Sequence, residues 1–169
     1  MVKGVGGLKV ALIPVAQDTS PEVSSTGSLV FLPTVDTGIA AAKQAREDGA
    51  DIVVGVVQTN MENDRKLMAS KAFDVILSGD DHSYATAYDG VTAYVETSID
   101  GQYLTPVDLL VEIGDDDGER TISWTPIFRF IDTATVEPHP ESKALADDYL
   151  AKLDQTLNVE IGTTETEID

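Results

Sequence analysis

The stretch Asp51-Ile52-Val53-Val54-Gly55-Val56-Val57-Gln58-Thr59-Asn60, followed one helix-length later by Phe73-Asp74-Val75-Ile76-Leu77-Ser78-Gly79-Asp80-Asp81-His82, decides how this chain folds. Each half is a short apolar run that stops abruptly at a polar cluster. The apolar residues run continuously rather than alternating with polar ones, which predicts strands covered on both faces, as parallel strands are. Between them, Asn60 to Ala72 predicts a helix with Asn60 or Asn63 as cap and with Leu67 and Met68 facing inward. A strand, a helix and a strand in that order form a right-handed βαβ unit in a parallel sheet.

Working outward, the pattern extends upstream. Leu8 to Val15 (LKVALIPV) is another buried strand, and Gln17 to Pro33 is a Ser-, Thr- and Pro-rich loop broken by Leu29-Val30-Phe31-Leu32. Thr34 to Asp48 predicts a helix capped by Asp36 or Thr37, with Ile39, Ala42 and Ala45 on one face and Gly49 as its stop. Downstream the character changes. Val91 to Glu96, Tyr103 to Ile113 and Arg120 to Phe130 are β-rich with no helix between them, so the sheet is mixed or a second sheet packs on it. Gly114-Asp115-Asp116-Asp117-Gly118 reads as a hairpin turn, not as a calcium loop, because it lacks the alternating ligand spacing. Trp124, Phe128 and Phe130 share one face of a strand and read as core. Pro138-His139-Pro140 breaks the chain before an amphipathic helix, Glu141 to Leu157, whose stripe is Leu145, Tyr149, Leu150, Leu153 and Leu157. The tail from Asn158 starts like a strand (VEIGTTETEI).

Composition narrows the function. The 169 residues hold 30 acidic against 11 basic side chains, a formal net charge of −19. Such a surface repels phosphate backbones and anionic headgroups, which disfavours nucleic-acid and membrane partners. There are no cysteines, which excludes disulfides, zinc-thiolate sites and thiol nucleophiles. No apolar run approaches ~20 residues, and the start, Met1 to Lys9, lacks the apolar core of a signal peptide. Ser24, Ser25 and Ser78 have no Ser-His-Asp arrangement around them. His139, between prolines, has no ligand partner at a useful spacing.

Ligands of α/β sheets sit beyond the carboxyl ends of parallel strands. Three such ends exist: Gln17-Asp18-Thr19, Gln58-Thr59-Asn60 and Ser78-Gly79-Asp80-Asp81-His82. A glycine followed by acids and a histidine at a strand end suits a hard divalent metal, and equally suits an ordinary turn with a surface histidine.

These residues carry a resemblance. Val53-Val54-Gly55-Val56-Val57-Gln58-Thr59-Asn60 and Asp74-Val75-Ile76-Leu77-Ser78-Gly79-Asp80-Asp81-His82 resemble the end of the catalytic domain of the 5'-nucleotidase family, within the calcineurin-like metallophosphoesterases. That family has a strand ending in a metal-binding His and, one helix later, a strand ending in D-x-I-L-x-G-H-x-H. The likeness extends back to Gly7 through Ile13 and on through Tyr94-Val95-Glu96 and Leu104 to Val111. The helix Glu141 to Leu157 and Ile161-Gly162-Thr163-Thr164 resemble the family's linker helix and the first residues of its C-terminal domain. Within the family, the sequence resembles the bacterial 2',3'-cyclic-nucleotide 2'-phosphodiesterase/5'-nucleotidase branch.

The resemblance implies an α/β fold, a partial αββα metallophosphoesterase sandwich with a mixed sheet. It implies the C-terminal half of that domain over residues 1–137, a linker helix over 138–158 and the start of a truncated C-terminal domain over 159–169. In the family, two metal ions about 3.5–4 Å apart clamp a phosphate and activate water. The implied metal ligands are Gln58, Asp80 and His82, with Asn60 and Asp81 beside them to orient those ligands, and the implied cofactors are Mn²⁺, Zn²⁺ or Mg²⁺. The implied substrate is a nucleotide, and the implied location is periplasmic or extracellular. Two departures follow. The D-x-H, G-D and G-N-H-E/D blocks that carry the catalytic histidine are absent, so no catalytic residue is assigned. Gln58 and Asp80 replace two histidines at one metal, which predicts a disabled centre. The chain is therefore expected to be an inactive fragment of a phosphoester hydrolase that self-associates to cover its exposed edges; the alternative is a non-catalytic acidic α/β binding or assembly module.

Overall fold

A computed structural model describes residues 2–164. The chain divides into two compact units, Met1–Thr133 and Ala134–Asp169. In the first, strands β1 (Val2–Val5) and β2 (Leu8–Ala16) precede a short helix α1 (Ser20–Val23) and a long one, α2 (Thr34–Glu47). Strand β3 (Ile52–Gln58), helix α3 (Met61–Ala69) and strand β4 (Val75–Gly79) form the βαβ unit expected from the two apolar runs. Strands β5 (Tyr84–Tyr88) and β6 (Ala93–Thr97) complete a six-stranded sheet of order β1-β2-β3-β4-β6-β5. Strands β2, β3, β4 and β6 are parallel, and the two edge strands run antiparallel to their neighbours, so the sheet is mixed.

One face of this sheet carries the helices. Ala11, Val15, Val53, Val57, Ile76 and Tyr94 point to it and meet Ala42 and Ala45 of α2, Leu67 of α3 and Phe73. Small residues let α2 lie close: a Cβ at Gly38 would sit 3.2 Å from Val15. Gly55 is required for a similar reason, since a Cβ there would meet the Phe73 ring at 3.1 Å. That ring fills the space a side chain on the middle of β3 would take. Phe73 and Leu67 are fully buried as a result.

The other face is covered in part. Strands β7 (Tyr103–Leu104) and β10 (Ile131–Asp132) pair with each other, and β8 (Val107–Asp116) pairs with β9 (Glu119–Phe128) as a long hairpin. The hairpin closes on Asp117-Gly118, both with positive φ (52° and 86°), the geometry of a type I′ turn. Along β5, Ala85 faces the helices while Tyr84 and Tyr88 alternate to the opposite side. There Tyr88 meets Trp124 of β9 at a ring separation of 5.7 Å, and Tyr84 meets Phe130 at 5.3 Å.

Several expectations need correction. Helix α2 starts at Thr34, ahead of both expected caps, because the buried Thr34 hydroxyl donates to Ala16 O and accepts from Asp18 N–H (3.2 and 2.8 Å). Those bonds fix the chain before Asp36 is reached. The expected strand Tyr103 to Ile113 is split, since Pro106 has no N–H with which to continue a ladder. The edge strands β1 and β5 were not expected at all. Phe130 is half-exposed, not core. In the second unit a short 3₁₀ turn (Thr133–Thr135), which begins one residue earlier, leads to helix α4 (Pro140–Leu157), whose apolar stripe is exposed throughout. Residues 159–164 of the tail form no strand; the rest of the strand-like run lies outside the described residues.

Candidate functional site

The parallel register places Gln58, the last residue of β3, opposite Gly79, the last of β4. Thr59 N–H donates to Gly79 O (3.2 Å), carrying the pairing one step past the strand ends. The polar clusters that follow are therefore neighbours in space. Gln58 Nε2 donates to Asp80 Oδ1 at 2.7 Å. Two residues 22 apart in sequence thus form one amide–carboxylate pair at the rim of the sheet.

The loop after β4 is wound tightly. Asp80 has φ of 137° and His82 φ of 57°. A side-chain-bearing residue at the first of these values is strained, at a cost of about 1–3 kcal/mol. The His82 side chain is exposed.

The two remaining candidates serve the helix beside them. Asn60 is the N-cap of α3: its side-chain oxygen accepts from Asn63 N–H (3.0 Å), and Asn63 Nδ2 donates on to Thr59 Oγ1 (3.1 Å). The Asp81 carboxylate accepts from Met61 N–H at the first helical position. A carboxylate at a helix N-terminus satisfies an orphan donor and is favoured by the macrodipole. Sequence spacing gives the cap at Asn60, but not Asp81, which arrives from the neighbouring strand.

Whether this set suits a metal follows from its donors. Among the described residues no group of three or more His, Cys, Asp or Glu side chains comes together as a metal site. The Gln58 amide is turned to give a hydrogen to Asp80, which occupies one carboxylate oxygen with a donor instead of a cation. By themselves these residues do not make a metal centre, and no reaction step is derived through one. Beside the pair lies a groove of about 350 Å³ whose lining includes Val56, Leu77, Gly79, Leu104 and Thr105. Thr105 Oγ1 is buried without a hydrogen-bond partner.

Beneath the loops, sequence reasoning missed a buried acid. Asp64, on the inner face of α3, is 3% exposed. Burial pushes its carboxyl up to about 6, against the hydrogen bonds from Ser78 and Tyr94 that favour the charged form. Its signal in the sequence is an acid three residues before Leu67 on the apolar stripe of the helix.

No family model matches this chain. It is 28% identical over 107 residues to an apyrase from Aedes albopictus, covering 62% of this chain and 19% of that protein. An apyrase from Aedes aegypti is 27% identical over the same length. The fold is similar to a crystal structure from Staphylococcus aureus, described as a 5'-nucleotidase in complex with alpha-ketoglutarate. The TM-score is 0.69 at 19% identity, with 91% of this chain and 34% of that one covered. The chain thus spans about a fifth of the length of the apyrases and about a third of the staphylococcal chain. At that identity the structural likeness is one of fold, and it carries the mixed α/β architecture.

Proposed function

We propose that this chain is one half of the catalytic domain of a nucleotide phosphoester hydrolase of the 5'-nucleotidase type, working outside the cytoplasm, and that it contributes scaffold and loops without turnover of its own. The observation that carries this reading is the Gln58–Asp80 pair at 2.7 Å on adjacent parallel strand ends. A βαβ unit presents substrate- or metal-binding groups at that position. The likeness to two apyrases and to the staphylococcal fold supports the nucleotide class. Divalent ions would supply such a hydrolase with its polarising and water-activating chemistry only with ligands from outside this chain, because the described residues alone gather no metal site.

The pairing of the Gln58 amide with Asp80 also favours a second reading, a non-catalytic acidic module, because the pair is satisfied without a cation. Calorimetric titration with Mn²⁺ and Zn²⁺ separates the two. Micromolar binding that disappears in His82→Ala supports the hydrolase half; no binding to the wild-type chain supports the module. In a phosphate-release assay with AMP, the expected rate is that of the buffer, and measurable turnover would overturn the silent reading. The same proposal includes self-association, because Val56 and Leu77 on the hairpin side of the sheet stay 49% and 37% exposed. Light scattering showing only monomer at tens of micromolar would sink that part.

A further inference from the structure

Three side chains on the helix face of the sheet form a buried acidic cluster directly under the two loops. Asp64 comes from α3, and Tyr94 and Glu96 come from β6; they are 3%, 7% and 1% exposed. Tyr94 Oη lies 3.0 Å from Asp64 Oδ2 and 3.2 Å from Glu96 Oε2. Ser78 Oγ donates to the same Asp64 Oδ2 at 2.6 Å, and Ser83 N–H donates to Glu96 Oε1 at 3.1 Å. Asp64 Oδ1 is buried with no partner.

Counting hydrogens exposes a shortage. The tyrosine hydroxyl has one hydrogen and two carboxylate contacts. If both acids were ionised, one contact would set two oxygen acceptors against each other with nothing between them. One additional proton resolves this. Held on Asp64 Oδ2, it is donated to Tyr94 Oη, whose own hydrogen then goes to Glu96 Oε2. No cation offers a substitute: among the described residues neither acid is in an ion pair, and Asp81 in the loop above, whose charge bears on Asp64, is another carboxylate. Arg65, next to Asp64 on the helix, is exposed and donates to the Met61 sulfur at 3.2 Å.

The cluster is wired to both loops. Ser78 is two residues before Asp80, Ser83 follows His82, and Asp64 N–H donates to Asn60 O at 3.0 Å. We infer that Asp64, Tyr94 and Glu96 are positioning residues that share one proton, and that this proton keeps the Thr59-Asn60 and Asp80–His82 loops in register. Loss of the proton turns the Asp64–Tyr94–Glu96 line repulsive, and the loops loosen together as pH rises. As a device for positioning a nucleotide hydrolase site, it rests on the reading above. As a link between a proton and two loops, it stands on the geometry alone.

The test is a carboxyl-carbon and amide NMR titration of the ¹³C,¹⁵N-labelled full chain between pH 4 and 8, with neither nucleotide nor metal, so its failure is separable from failure of the hydrolase reading. The Asp64 carboxyl should titrate near pH 6, and the Ser83 amide should move with the same midpoint. His82 is the residue next to Ser83 and carries an ionisable ring of its own. His82→Gln therefore serves as the control, and the Ser83 transition should survive it. Asp64→Asn should abolish that transition while the dispersed spectrum of the folded chain persists. An Asp64 carboxyl titrating near pH ~4, or a Ser83 amide that follows His82 and not Asp64, would overturn the inference. If Asp64→Asn does not fold, the wild-type and His82→Gln titrations still decide it.

Discussion

The two ends of the parallel sheet treat their carboxylates in opposite ways. At the amino end, Asp74 accepts from Val53 N–H (2.6 Å) and from the Arg46 guanidinium (2.5 Å). Asp51 accepts from Lys9 N–H (2.7 Å) and from Arg120 (2.6 Å), and these donors hold its carboxyl below the usual range. At the carboxyl end, Asp64, Glu96 and Asp80 meet only neutral donors among the described residues. Charge is matched where the fold is fastened and left unmatched where a ligand would arrive. If the proposed reading holds, stability and function occupy different ends of this sheet, and substitutions at the two ends should differ in sign.

The largest effect is expected at the amino end. Asp74→Ala removes the acceptor for two short, charge-assisted bonds and leaves Val53 N–H without that partner, at a cost of about 3 kcal/mol in urea unfolding. A loss below about 1 kcal/mol would mean that the amino-end carboxylates do not fasten the sheet.

At the other end the sign reverses. The Asp64 carboxyl is raised to about 6 in the folded chain, from about 3.9 when unfolded. A raised acid contributes stability that is complete below the unfolded value and lost as pH rises through the folded one. At pH 7 the contribution is gone, and Asp64→Asn should recover about 2 kcal/mol, with little gain at pH 4. Asp51, with its lowered carboxyl, behaves in the mirror sense: its contribution is present above pH ~4 and lost as pH falls through its folded value. Thermal melts from pH 3 to 8 should show Asp64→Asn flattening the neutral side only. Flattening on the acid side instead would reverse the assignment. Arg120→Ala comes next, at about 1 kcal/mol, because its Asp51 pair is partly exposed and Lys9 N–H still serves the carboxylate. Its unfolding should be accompanied by earlier amide exchange in the hairpin, which Arg120 also ties to Gly7 O (3.2 Å).

How much of this was legible follows from where each signal lives. The central strands declare themselves as continuous apolar runs, and their parallel order follows from the helices between them. Given that order, the approach of Gln58 to Asp80 is a consequence of register. The edge strand Tyr84–Tyr88 shows its period of two in plain sight (Tyr-Ala-Thr-Ala-Tyr), but it is short and sits beside a loop that draws attention to its acids. The buried cluster was out of reach. Asp64, Tyr94 and Glu96 belong to elements some 30 residues apart, and their meeting depends on which face of β6 turns toward α3. That Asp81 caps the helix instead of reaching a ligand depends on the loop's positive φ values, which the sequence does not display.

The smallest effect tests whether the carboxyl end is built for stability after all. Glycine at position 80 would relax a backbone held at φ 137°, a gain of about 1 kcal/mol. The same change removes the acceptor for Gln58 Nε2, an exposed hydrogen bond of comparable worth. The two terms oppose each other, so Asp80→Gly should unfold within about 1 kcal/mol of the parent. Meanwhile the Gln58 side-chain amide should shift to the resonance of a solvated glutamine. A near-neutral result means the strained loop is retained for what Asp80 and Gln58 present to solvent, because the fold does not need them. A loss beyond about 2 kcal/mol would instead make their bond a fastening like those of Asp51 and Asp74. The distinction between the two ends of the sheet would then fail at the residues on which the functional reading depends.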